Sequence, residues 1–148
     1  MYKHYDNFLE EHVAQLIDFE MKEVKWQYDY DSKPNGTQKH WHVFCGHNID
    51  ECNLNGYDFI EPIWNNIKNI DSTLELERAY LNAHTYGIEP HIHRDDGDVT
   101  LIYYPRLDWK IDWGGGTAIY NNDVTEIEKD DSLPSTKQNP SSPLLKYV

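Results

Sequence analysis

Glu89-Pro90-His91-Ile92-His93-Arg94-Asp95-Asp96-Gly97-Asp98, followed by Val99-Thr100-Leu101-Ile102-Tyr103-Tyr104-Pro105, reads as two extended segments joined by an acidic, glycine-containing turn. In a strand, residues two apart point to the same face, so the imidazole of His93 and the carboxylate of Asp95 can grip one metal ion. Arg94 and Asp96 alternate to the other side, where solvent or salt bridges suit them. His91 and Asp95 of a straight strand lie about 13 Å apart at a rise of about 3.3 Å per residue, so His91 is not a third ligand unless the chain bulges at Ile92. His-x-Asp supplies one imidazole and one carboxylate. The facial set used by non-haem iron(II) oxygenases needs a second histidine.

Strand signals continue on both sides of this stretch. Leu74 to His84, Pro90 to Asp95, Val99 to Tyr104, Thr117 to Asn121 and Thr125 to Glu128 are short β-prone runs separated by turn residues. Upstream the pattern is helical. After a short strand at Tyr2 to Tyr5, the residues Phe8, Leu9, Val13, Leu16, Ile17 and Met21 recur at helical spacing, which predicts an amphipathic helix over 8–22. Asp6 or Asn7 would cap it, with Glu10 completing a capping box. Residues 29–39 read as a loop, His40 to Cys45 as a strand, and Asp58 to Ile70 as a second helix with Pro62 near its start. Helices followed by a run of strands predict an α+β domain, with helices packed on a β-sandwich or jelly-roll core.

The chain has 148 residues, which fits one domain, and its net charge is −13. That charge disfavours nucleic acid and anionic lipid as partners. No apolar run of about 18 residues is present, and the start has no export signal, so the expected location is cytoplasmic, away from membranes. Cys45 and Cys52 match neither a metal knuckle nor a disulfide framework. His40-x-His42 with Cys45 and His47 matches no standard zinc module and reads as a structural strand carrying exposed histidines. No internal repeat is visible.

The strand Val99 to Pro105, then Asp108-Trp109, then Asp112-Trp113-Gly114-Gly115-Gly116, resembles the prolyl 4-hydroxylase-like 2-oxoglutarate-dependent oxygenases. In that family His-x-Asp is followed by a strand ending in a Tyr-Tyr turn, a Trp, and a Trp-Gly-Gly before the next strand. The resemblance covers residues 76–121, and Asp6-Asn7-Phe8-Leu9 resembles the family's opening segment. It implies a double-stranded β-helix, or jelly-roll, with helical support over 1–72 and strands over 74–130. It further implies iron(II) on His93 and Asp95, and 2-oxoglutarate bonded by Tyr104 and lined by Ile102, with Tyr86 a further pocket aromatic. Ascorbate would serve as accessory reductant. The implied activity is dioxygenase chemistry that couples 2-oxoglutarate decarboxylation to hydroxylation of a peptide or small-molecule acceptor. Trp109 and Trp113 are expected to pack at the core rim.

The sequence departs from the family after residue 121. All eight histidines precede Arg94, so the family's later iron histidine is missing, and no Arg follows Arg106 to pair with the cosubstrate. From Asp130 to Pro143 the composition is polar and Pro/Ser-rich, so 131–148 is expected to be an irregular or disordered tail, with a reading frame truncated or shifted near residue 131. Leu144 to Val148 is the one apolar stretch there able to fold back as a strand. A jelly-roll lacking its last strands leaves an open sheet edge and invites self-association. Two other readings compete: an inactive relative that keeps the scaffold and weak metal binding, and a cupin-like barrel holding zinc or manganese.

Overall fold

A computed structural model describes residues 3–31, 38–85, 93, 95, 97–113, 116, 117, 119, 120, 127, 128 and 144–147. They form a mixed α and β chain with small antiparallel sheets. In order these are β1 (Lys3–Asp6), α1 (Glu11–Glu23), β2 (Gln27–Tyr30), β3 (His40–Gly46) and α2 (Ile49–Leu54). A 3-10 turn at Asp58–Ile60 leads into α3 (Glu61–Ile70), followed by β4 (Ala79–Ala83), β5 (Leu101–Tyr104), β6 (Ile119–Tyr120), β7 (Ile127–Glu128) and β8 (Leu144–Tyr147).

One sheet has the order β2-β3-β4, a second β1-β8-β5, and β6 pairs with β7. Within the stretch 131–148, expected as an irregular tail, Leu144–Tyr147 pairs on both sides, Leu145 opposite Tyr5 and opposite Tyr103. Such pairing satisfies backbone groups that two lone edge strands would leave open. Residues 131–143 lie outside the described residues.

The core lies between the helices and one face of the β2-β3-β4 and β1-β8-β5 sheets. Ala14 and Ile17 of α1, Val43 and Cys45 of β3, Cys52 of α2, Phe59 and Ile60 of the 3-10 turn, and Ile67 of α3 are buried together with Phe8 and Leu9. Leu81, Leu101 and Tyr103 pack against this cluster from β4 and β5. Close approach is needed where β3 meets α2: a Cβ on Gly46 would sit 2.8 Å from the backbone nitrogen of Cys52. Only glycine leaves that space open.

Several local expectations change. α1 begins at Glu11 with Glu10 as its N-cap residue and no side-chain cap hydrogen bond, so the box expected on Asp6 or Asn7 does not form. Asn7 instead takes a positive φ of 50°, turning the chain between β1 and the helix. Leu16 is 55% exposed because the buried stripe of α1 runs through Ala14, Ile17 and Asp18, about 100° per residue away from it. Asp18 holds a place on that stripe by pairing with Lys22 at 2.6 Å and Arg106 at 3.4 Å. Residues 27–30, partly assigned to a loop, form β2, bulged between Tyr28 and Tyr30 with Asp29 at φ 98°. Among the described residues, no helix is long and apolar enough to cross a membrane.

Candidate functional site

His93 and Asp95 fall in the chain between β4 and β5. The two side chains meet, with His93 Nε2 3.5 Å from Asp95 Oδ1, and are 39% and 27% exposed respectively. Gly97 makes the turn that follows at φ 93°, and a Cβ there would sit 3.0 Å from Glu77 Oε2. Asp95 also lies close enough to β4 to act on Tyr80, whose phenol is pushed up first by burial and then by the carboxylate's charge. The remainder of the segment Pro90 to Asp96 lies outside the described residues.

On β5 the alternation divides the strand. Leu101 and Tyr103 join the core, where Tyr103 sits 6.5 Å from Phe8, ring to ring. Burial, and then the charge of Asp18, raise the Tyr103 phenol well above its usual range. Ile102 and Tyr104 therefore occupy the other face. The Tyr104 hydroxyl is hydrogen-bonded to the Thr117 hydroxyl, a partner that a reading of local pattern does not suggest. Tyr86 lies outside the described residues. Trp109 and Trp113 pack edge to face at 5.4 Å with Lys110 over Trp113, and both remain partly exposed.

Sequence reasoning also missed a face of the β2-β3-β4 sheet on which histidine and tyrosine gather. The ring of His42 stacks on Tyr30 at 3.9 Å, and its Nδ1 lies 2.7 Å from Asn82 Oδ1. Tyr80 adds a further ring at 5.4 Å from His42. Burial lowers the pKa of His42, against the hydrogen bond it donates to Asn82 Oδ1, which raises it. The signal was the alternation His40-x-His42 and Tyr80-x-Asn82-x-His84. Cys45 belongs to the opposite, core face, where burial pushes its thiol up to about 12, so it cannot join His40 and His42 around an ion.

As donors, His93 and Asp95 offer a borderline nitrogen and a hard oxygen side by side, which suits two adjoining positions on a divalent ion. A facial set of three is not completed: among the described residues no three His, Cys, Asp or Glu side chains converge. The pair fits a metal grip; the full iron site of the resembled family does not assemble from the described residues. Compared with known proteins, the chain matches no protein-family model, no curated protein and no solved structure.

Proposed function

We propose that this chain is an iron(II)- and 2-oxoglutarate-dependent dioxygenase of the prolyl 4-hydroxylase-like kind, its described strands being parts of a jelly-roll core. The observation that carries the reading is the approach of His93 and Asp95 to 3.5 Å, between strands whose sequence resembles that family over residues 76–121. When bound, iron and 2-oxoglutarate would supply the oxidation of a C–H bond coupled to decarboxylation. His93 and Asp95 would hold the metal. Ile102 and Tyr104, together on one face of β5, would form a wall of the cosubstrate pocket. Thr117 fixes the Tyr104 hydroxyl, so the phenol is pre-oriented; with the Thr117 hydroxyl donating to it, the phenolic O–H is the group that would donate to a carboxylate.

The second reading is a scaffold that binds metal weakly and does not turn over. It is favoured by the incomplete donor set among the described residues. Conversion of 2-oxoglutarate to succinate separates the two. The dioxygenase reading expects succinate that depends on oxygen and added iron(II) and disappears in His93→Ala. A folded chain that makes none under those conditions contradicts that reading and leaves the scaffold; binding of zinc or manganese without turnover would point to a cupin-like barrel.

A further inference from the structure

β3 and β4 pair Trp41 with Ala83 and His42 with Asn82. One more step along the same antiparallel register puts His40 directly opposite His84, on the face that carries His42 and Tyr80. Directly opposed residues of neighbouring strands hold their Cβ atoms about 5 Å apart. Here the two imidazole rings have already met, with centroids 4.5 Å apart and planes at 66°.

That spacing is informative. Two imidazole nitrogens on one zinc-class ion sit about 2.0–2.1 Å from it, which brings the ring centroids to about 4.5–5 Å for angles at the metal near 90–110°. The His40–His84 pair is at that separation without rearrangement. His40 is 2% exposed, and its Nε2 has no hydrogen-bond partner among the described residues. Its Nδ1 faces the Gln38 carbonyl oxygen at 3.4 Å, and a carbonyl only accepts, so the proton belongs on Nδ1 and the lone pair on Nε2. A histidine that gives one N–H to a backbone carbonyl and keeps the other nitrogen bare is arranged as metal-binding histidines are. The Tyr30 ring packs edge-on against His40 at 5.2 Å, which limits its rotation.

We propose that His40 and His84 form a cross-strand site for a late first-row divalent cation of the zinc class, with solvent completing its coordination. The site uses neither His93 nor Asp95 and does not depend on the dioxygenase reading. Burial first, and then the proximity of the His40 imidazole, lower the pKa of His84 and so favour its neutral, ligating form. A bound ion would tie the start of β3 to the end of β4.

The test is zinc(II) binding to the full chain carrying His93→Ala and Asp95→Ala, measured by competition with a chromophoric chelator. One equivalent should bind in that background. Adding His84→Ala, an exposed position, should weaken it tenfold or more, and His40→Gln should do the same. Zinc should also shift the ring proton resonances of His40 and His84 in the otherwise unaltered chain, which answers the question even where a variant fails to fold. Unchanged affinity in the His84→Ala background, loss of all zinc with His93 and Asp95, or shifts confined to other histidines would overturn the proposal.

Discussion

Arg106 reaches from the segment after β5 to Asp18 on α1, its Nε 3.4 Å from Asp18 Oδ1, while its Nη2 lies 2.6 Å from Asp108. The contact fastens the strand that carries Ile102 and Tyr104 to the helix that anchors the core. Asp18 is nearly buried, and among the described residues it keeps only Lys22 as an ion-pair partner when Arg106 is removed. Arg106→Ala is therefore expected to lower stability by about 1 kcal/mol, since Arg106 itself is partly exposed and solvent weakens the pair. Urea denaturation reads the shift in midpoint, and an unchanged midpoint would show that the contact contributes nothing.

At Gly46, β3 packs closely against α2. Gly46→Ala places a methyl against the Cys52 backbone nitrogen and the Glu51 side chain, neither of which can retreat without shifting the helix. A loss of about 1–3 kcal/mol follows from such overpacking. Gly56→Ala is the control: its surroundings are open, but its φ of 82° makes alanine cost about 1 kcal/mol through the backbone alone.

The two faces of α1 give opposite outcomes. Ile17→Ala should cost about 2–5 kcal/mol by leaving a cavity among Ala14, Val43 and their neighbours. Leu16→Ala, one residue away and largely exposed, should change stability by no more than about 0.5 kcal/mol. Comparable losses in both would mean that the helix is rotated from the orientation described.

Stability should fall as the medium becomes mildly acidic. His42 and His84 have pKa values lowered in the folded chain, chiefly by burial, so between their folded values and the ordinary value of about 6.5 the unfolded chain binds more protons. Their contribution is complete above about pH 6.5 and is lost as the pH drops below it. Denaturation midpoints in chelator-containing buffer should be lower at pH 5.5 than at pH 7.5, and His84→Gln should reduce the difference. An identical difference in that variant would place the titration elsewhere.

Elements whose apolar residues keep one period were legible. Phe59, Ile60, Ile63, Trp64 and Ile67 mark the 3-10 turn and α3, and the β-branched and aromatic residues of β3 and β5 mark strands. β2 was hidden because the bulge at Asp29 breaks its alternation within four residues. α2 was overlooked although its start carries a signal: Asn48 accepts the Glu51 backbone N–H, and Glu51 in turn accepts the His47 N–H, an Asn-x-x-Glu capping pattern. The position of β8 between β1 and β5 depends on residues far apart in the chain, and no local pattern encodes such pairing.

The candidate site divides along the same line. His93 and Asp95 belong to one short segment, and their spacing alone suggests that they meet. The bond between Tyr104 and Thr117 spans 13 residues, and the meeting of His40 with His84 depends on strand register, so neither shows as a motif.

Anaerobic iron(II) binding in the presence of 2-oxoglutarate tests the central claim most directly, through the metal-to-ligand charge-transfer absorption that bidentate chelation produces. A band that requires 2-oxoglutarate, disappears in His93→Ala and in Asp95→Ala, and survives His84→Ala is the result expected of a dioxygenase site on this pair. No band from a chain that circular dichroism shows to be folded, or a band indifferent to His93 and Asp95, would contradict it.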